Sequence, residues 1–144
     1  MKVEIKIEKN LKEPYAVIYT KEITSQINQL VLYMQAKNKV FPVSDGEKTR
    51  ILKPEDIYLI KSEDNKLTIY DQKNQYTSNK RLYEVPQLLG NQFMRISKNT
   101  YININYLESV EVAFSGMLKM KLKNGLTDYI SRMYVKELKN YLRI

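Results

Sequence analysis

The stretch MLKMKLKNGLTDYI, residues 117–130, constrains the fold more than any other. Leu118, Met120 and Leu122 alternate with Lys119, Lys121 and Lys123, which gives a strand one apolar and one charged face. The lysine face by itself reads as a solvated face or an edge guarded against aggregation. Asn124-Gly125 follows at once. This dipeptide accepts the left-handed backbone of a two-residue turn and is the strongest hairpin signal in the chain, with Leu126–Ile130 as the returning strand. Similar short runs precede it at Thr49–Lys53, Ile57–Lys61, Leu67–Tyr70, Gln75–Thr77 and Leu107–Phe114. The turn Pro54-Glu55-Asp56, the polar loop Ser62–Lys66 and the turn Ser115-Gly116 separate them. Short strands at this spacing, with few helices between them, predict a mostly β, antiparallel fold with short helices.

Helical periodicity is found in three places. Ile27, Leu30, Val31 and Met34 share one face of a helix expected over 25–37, capped by Thr24 or Ser25. Leu82, Val85, Leu88 and Leu89 mark a short helix capped by Ser78-Asn79, interrupted by Pro86 and ended by Gly90. Tyr134, Val135, Leu138 and Leu142 mark a terminal helix that starts at Ser131. At the N-terminus, Val3, Ile5 and Ile7 alternate with Lys2, Glu4, Lys6 and Glu8, predicting a half-buried strand over 2–8. Tyr15–Tyr19 follows Pro14 as a second. Residues 1–45 therefore read as a small β-β-α extension, a dimerisation or regulatory element too small to be stable alone. Asp45-Gly46 marks its boundary with a second unit over 46–144.

What the chain lacks narrows its chemistry. It has no Cys and no His, which excludes disulfides, thiolate or imidazole metal sites, and nucleophile–His catalysis. Neither G-x-x-x-x-G-K-[ST] nor G-x-G-x-x-G occurs, so no phosphate cradle for a nucleotide is visible. The carboxylate pairs Glu55-Asp56, Glu63-Asp64 and Glu108/Glu111 stand beside no recognisable second acid or base and read as solvated surface. No catalytic residue, metal, cofactor or small-molecule substrate is expected. The apolar runs fall far short of the roughly 20 residues that span a bilayer, and the charged N-terminus is no signal peptide, so a cytoplasmic protein is expected. The net charge of +8 points to a polyanionic partner: nucleic acid, an acidic protein or an anionic membrane surface. Twelve tyrosines could stack single-stranded bases, but they suit half-buried strands better.

Two polar stations remain. In FMRISKNTYININYLESV, residues 93–110, the cluster Arg95-x-Ser97-Lys98-Asn99 interrupts strand-like spacing. Some thirty residues later comes Tyr129-Ile130-Ser131-Arg132, beyond the Asn124-Gly125 hairpin. The hydroxyl of Ser131 and the N–H groups of a helix start would suit a phosphate, and Arg132 a bidentate contact with a guanine edge. Equally, Ser131 could only cap a helix and Arg132 be a surface charge.

With these features in order, residues 46–144 resemble the LytTR DNA-binding domain of bacterial transcription regulators. The resemblance is carried by Phe93–Lys98, Ile102-Asn103-Ile104, Leu107–Val110, the hairpin Leu122–Gly125, Ile130–Val135 and the earlier Asp56–Ser62. It implies stacked antiparallel sheets whose loops, not a recognition helix, enter successive major grooves of duplex DNA and bend it. It implies Asn65 and Lys66 in a first base-reading loop, Lys98 and Asn99 in a second and Arg132 in a third. By the same resemblance Lys80, Arg81, Arg95, Ser97 and Ser131 are expected on the DNA backbone. Asn103 matches the family's frequent Asn, here expected to bond nearby backbone. Ser97 and Asn65 stand where many relatives carry His, so sequence preference should differ. Forty-five residues cannot hold a receiver domain, so the chain looks like the short stand-alone kind, whose relatives often work with a small membrane protein as inhibitor. The expected partners are duplex DNA and a second copy of the chain. Rival readings are a basic adaptor for an acidic protein and a module for single-stranded nucleic acid or RNA.

Overall fold

In a computed structural model, residues 1–35 and 39–144 are described. Among them ten strands form two antiparallel sheets. The larger is built from β1 (Phe41–Ser44), β2 (Thr49–Leu52), β3 (Leu59–Glu63), β4 (Lys66–Tyr70), β5 (Gln75–Ser78), β6 (Phe93–Ser97) and β7 (Thr100–Asn103). Their order across the sheet is β2-β1-β5-β4-β3-β7-β6. The smaller has the order β10-β9-β8, from β8 (Leu107–Val112), β9 (Leu118–Leu122) and β10 (Thr127–Ile130). Three helices complete the described chain: α1 (Ser25–Gln35), α2 (Val85–Leu89) and α3 (Arg132–Leu142). The mostly β, stacked-sheet architecture expected from the sequence is the one observed.

The larger sheet is covered on both faces at β7, which is buried along its whole length, whereas β1 keeps one face exposed. Neighbouring strand residues point to opposite faces, so Leu59 and Ile60 enter different cores. On one side Ile60, Leu67, Ile69 and Tyr101 pack with Phe41, Ile57, Val85 and Leu89. On the other, Leu59, Ile96 and Ile102 meet Leu118, Met120, Leu122, Ile130 and Leu138, the inner surfaces of the smaller sheet and α3. The Asn124-Gly125 hairpin forms as expected, with Thr127 opposite Lys121 and Ile130 opposite Leu118.

The N-terminal extension departs from expectation. Residues 1–24 contain no strand; of the expected β-β-α unit only the helix forms, with Thr24 accepting the Ile27 N–H at 3.2 Å. Val3, Ile5 and Ile7 are 76% to 86% exposed because no neighbouring strand lies beside them. Residues 36–37, the end of the expected helix, lie outside the described residues. Asp45-Gly46 turns between β1 and β2, which pair along Phe41–Leu52 to Ser44–Thr49, so Phe41–Ser44 is part of the sheet. Smaller shifts have local causes. The first half of Ile57–Lys61 is held by a 3-10 turn over Pro54–Asp56, and β3 starts two residues later. The expected loop Ser62–Lys66 shrinks to Asp64-Asn65, whose positive φ values of 49° and 64° make a two-residue hairpin turn. β8 ends at Val112, before a 3-10 turn over Phe114–Gly116.

Candidate nucleic-acid interface

Strand register decides which turns come together. Lys61 lies opposite Thr100, Leu67 opposite Ser78, Ser44 opposite Thr77 and Ser97 opposite Thr100. The turns at 45–48, 64–65, 79–81 and 98–99 therefore all fall at one end of the larger sheet. In the smaller sheet Val112 lies opposite Leu118, itself opposite Ile130. The turn at 114–116 and the start of α3 consequently share one end of that sheet. The opposite end carries the 71–74 turn and the 124–125 hairpin, joined where Asn124 Nδ2 donates to the Asp71 carbonyl at 3.1 Å.

A β-bulge aligns the two polar stations. Between Arg95 and Ser97 the β6–β7 register slips, which frees Ile96 from ladder pairing. The Ile96 carbonyl instead accepts the Ser131 N–H at 2.9 Å and the Ser131 hydroxyl at 3.3 Å. The first turn of α3 is thereby seated beside the 98–99 turn. Across that turn, Ser62 N–H donates to the Asn99 carbonyl at 2.8 Å, tying it to β3. Arg81 Nη1 donates to the Asn65 carbonyl at 3.4 Å, tying the 79–81 segment to the β3–β4 turn. Arg81 and Asn65, the 98–99 turn tied to β3, and Ser131 with Arg132 after it thus lie along one end of the molecule.

Within this surface the expected residues divide by accessibility. Asn65, Lys66, Arg81, Lys98, Asn99 and Arg132 are exposed, whereas Lys80, Arg95, Ser97 and Ser131 are half-buried. Lys66, Lys80, Arg81, Lys98 and Arg132 make no ion pair among the described residues. Arg95 is differently employed. Its Nε donates to the Ser97 carbonyl at 3.1 Å and its Nη2 to the Lys98 carbonyl at 2.5 Å. The guanidinium also lies over the rings of Tyr101 and Tyr134, at 5.8 and 6.0 Å. Burial pushes the Tyr101 hydroxyl above its ordinary pKa, and Arg95 pulls it the other way. Ser97 Oγ accepts the Asn99 N–H at 3.2 Å, so Arg95 and Ser97 shape the turn that presents Lys98. Ser131 occupies the N-cap of α3 without a side-chain cap bond, and its hydroxyl donates to the Ile96 carbonyl.

Asn103 is 1% exposed. Its Nδ2 donates to the carbonyls of Pro54 at 3.2 Å and Ile57 at 3.0 Å, and its Oδ1 accepts the Asn105 N–H at 3.1 Å. The structural role expected for it is the one observed, at the end away from the cationic turns.

Sequence reasoning passed over Gly116. Its φ is +76°, and a Cβ there would lie 2.9 Å from Arg132 Cδ. The absent side chain lets the 114–116 turn close onto the Arg132 stem. The dipeptide Ser115-Gly116 read only as a turn, with nothing local to reveal its distant neighbour.

Among the described residues no group of acidic side chains could hold a metal, and no helix is long and apolar enough to cross a membrane. Among the described residues strands lie between each helix and the next, and no two helices are joined by a short turn as in a helix-turn-helix.

Comparison with known proteins places this geometry. A family model described as the LytTr DNA-binding domain matches residues 47–143. A Staphylococcus aureus protein named as an uncharacterized HTH-type transcriptional regulator is 25% identical over 146 residues, covering 100% of this chain and 99% of its own. The sensory transduction protein LytT of Enterococcus faecalis is 26% identical over 124 residues, 85% of this chain and 51% of that one, so this chain matches about half of it. A solved LytTr DNA-binding domain from Bacillus cereus superposes with a TM-score of 0.70 at 16% identity, covering 75% of this chain and 100% of that domain.

Proposed function

This chain belongs to the LytTR family of DNA-binding domains, and from that premise we propose that it is a transcriptional regulator that reads duplex DNA through its loops. The observation that carries the reading is the set of cations at one end of both sheets that have no ion-pair partner among the described residues. In this reading Lys98, Asn99, Arg132, Asn65 and Lys66 reach base edges in the major groove, where Arg or Lys suits guanine and Asn suits adenine. Lys80 and Arg81 meet phosphates and supply salt-dependent affinity. Arg95, Ser97 and Ser131 act through the loops they brace. Binding of this kind needs no catalysis, and a protein that works on chromosomal DNA works in the cytoplasm.

The same reading takes residues 1–45 as the homodimerisation element. Exposed Val3, Ile5, Ile7, Val17 and Leu32 support it, being apolar and uncovered in the single chain. A small membrane protein that covers this element would be an inhibitor, as the resemblance implies. The test is competition. A labelled duplex selected by the protein from a random pool should be displaced by the same unlabelled duplex, and far less by its single strands, by RNA or by a scrambled duplex. Equal displacement by all four would return the protein to the class of unspecific polyanion binders. No duplex binding at all would favour an adaptor for acidic proteins.

A further inference from the structure

Arg132 does not stand alone on the cationic end. The turn over Phe114–Gly116 lies against its stem, because a Cβ on Gly116 would come within 2.9 Å of Arg132 Cδ and 3.2 Å of Cγ. Phe114 is 66% exposed and Met133, the next residue of α3, is 77% exposed. Phe114 is held by a tilted ring contact with Tyr129 at 5.7 Å between centroids. Two large exposed apolar side chains thus neighbour Arg132, Met133 along α3 and Phe114 in the turn that Gly116 seats on the Arg132 stem, and burial in the core explains neither.

We propose that Phe114 and Met133 form an apolar collar that receives the 5-methyl group of a thymine beside the guanine read by Arg132. This rests on the reading of Arg132 as a base-contacting residue. Major-groove edges present donors and acceptors at every base, and the thymine methyl is their one apolar feature. Apolar side chains pressed onto any other base edge would strip water from polar atoms and return no hydrogen bond. The patch adjoins the cationic turns, because Ser131, next to Arg132, is bonded to Ile96 just before the 98–99 turn. A stable protein interface takes roughly 20–30 residues a side, and this patch has two, which argues against a second copy of the chain as occupant.

The test uses the full chain and a duplex it selects from a random-sequence pool, resynthesised with deoxyuridine replacing each thymidine in turn. Loss of one methyl next to the guanine assigned to Arg132 should weaken binding about three- to fivefold, the effect of one buried methyl. That guanine is identified as the position where Arg132→Ala no longer discriminates bases. In Phe114→Ala and Met133→Ala, thymidine and deoxyuridine at that position should bind alike, with circular dichroism unchanged because both residues are exposed. The proposal is overturned if the selected site has no thymine there, if no deoxyuridine substitution weakens binding, or if both variants keep the discrimination. A shift of either variant to a smaller species in sedimentation, with discrimination intact, would assign the patch to a copy–copy contact instead. Should Arg132→Ala bind and discriminate as the parent does, the underlying reading of Arg132 fails first.

Discussion

Asn103 shows how one side chain can be fixed by what it must satisfy. It bonds two carbonyls and one N–H that the chain reversals at 54–57 and 103–106 leave without ladder partners. Replacing it with Ala takes this partner from the carbonyl of buried Ile57, while Pro54 keeps the Ile57 N–H, so we expect Asn103→Ala to cost roughly 1–3 kcal/mol in urea denaturation. The residue lies at the end away from the cationic turns, so DNA specificity should survive at temperatures where the variant stays folded. Asp45 makes a second residue-scale prediction. Its carboxylate accepts the Lys48 and Glu47 N–H groups and the Arg50 guanidinium, and these hold its pKa at about 2. A carboxyl lowered by folding stabilises the fold above its ordinary titration range and loses that contribution as pH falls toward 2. An NMR titration should find Asp45 protonating well below the ordinary carboxylate range, with the midpoint rising in Arg50→Ala. An ordinary midpoint in the parent would mean the β1–β2 turn is not closed in solution.

Among the elements, α3 links stability to recognition. Its N-terminal turn is seated on Ile96 through Ser131, and its body is anchored by fully buried Leu138. Leu138→Ala should therefore cost about 3 kcal/mol of stability through the cavity it leaves. Since Arg132 sits on the same helix, the variant should also weaken specific DNA binding more than it weakens binding to a scrambled duplex. Equal weakening of both would uncouple α3 from readout. This level also shows what could be read from the sequence. The β9–β10 hairpin was legible because Asn124-Gly125 and the Lys/Leu alternation are both local. Gly90 likewise marked the end of α2, but Ser78-Asn79 does not cap this helix and Pro86 does not interrupt it: α2 starts at Val85, with Pro86 in the first turn, where a missing N–H costs nothing. The polar cluster in 93–110 interrupts strand spacing as its pattern implied, with β6 before the 98–99 turn and β7 after it; the 3-10 turn over Ile104–Tyr106 that separates β7 from β8 was not expected. The bulge at Ile96 was not legible, because its cause is a bond to Ser131 that is distant in sequence. Arg95 and Ser97, expected on the DNA backbone, bond the 97–99 turn itself, through contacts only two or three residues long that residue type alone does not distinguish from a phosphate contact. The alternation at residues 2–8 signals a period, and a period does not supply a partner strand.

For the whole molecule, the two sheets present their cationic turns at one end, while the N-terminal segment leaves apolar side chains uncovered. If residues 1–24 complete themselves against a second copy, their deletion should leave the melting of the two sheets intact. It should also convert dimer to monomer in sedimentation equilibrium and reduce affinity for a two-site duplex far more than for one site. A deletion that leaves mass and two-site affinity unchanged would remove the dimerisation role. The central claim is that this end of the molecule reads duplex sequence. It is tested most directly by fluorescence anisotropy of the selected duplex against its scrambled counterpart, with the parent chain and Arg132→Ala side by side at fixed salt. The parent should prefer the selected duplex by about a thousandfold or more, and Arg132→Ala should lose roughly 1–3 kcal/mol of that preference. Equal affinity of the parent for both duplexes would contradict the claim.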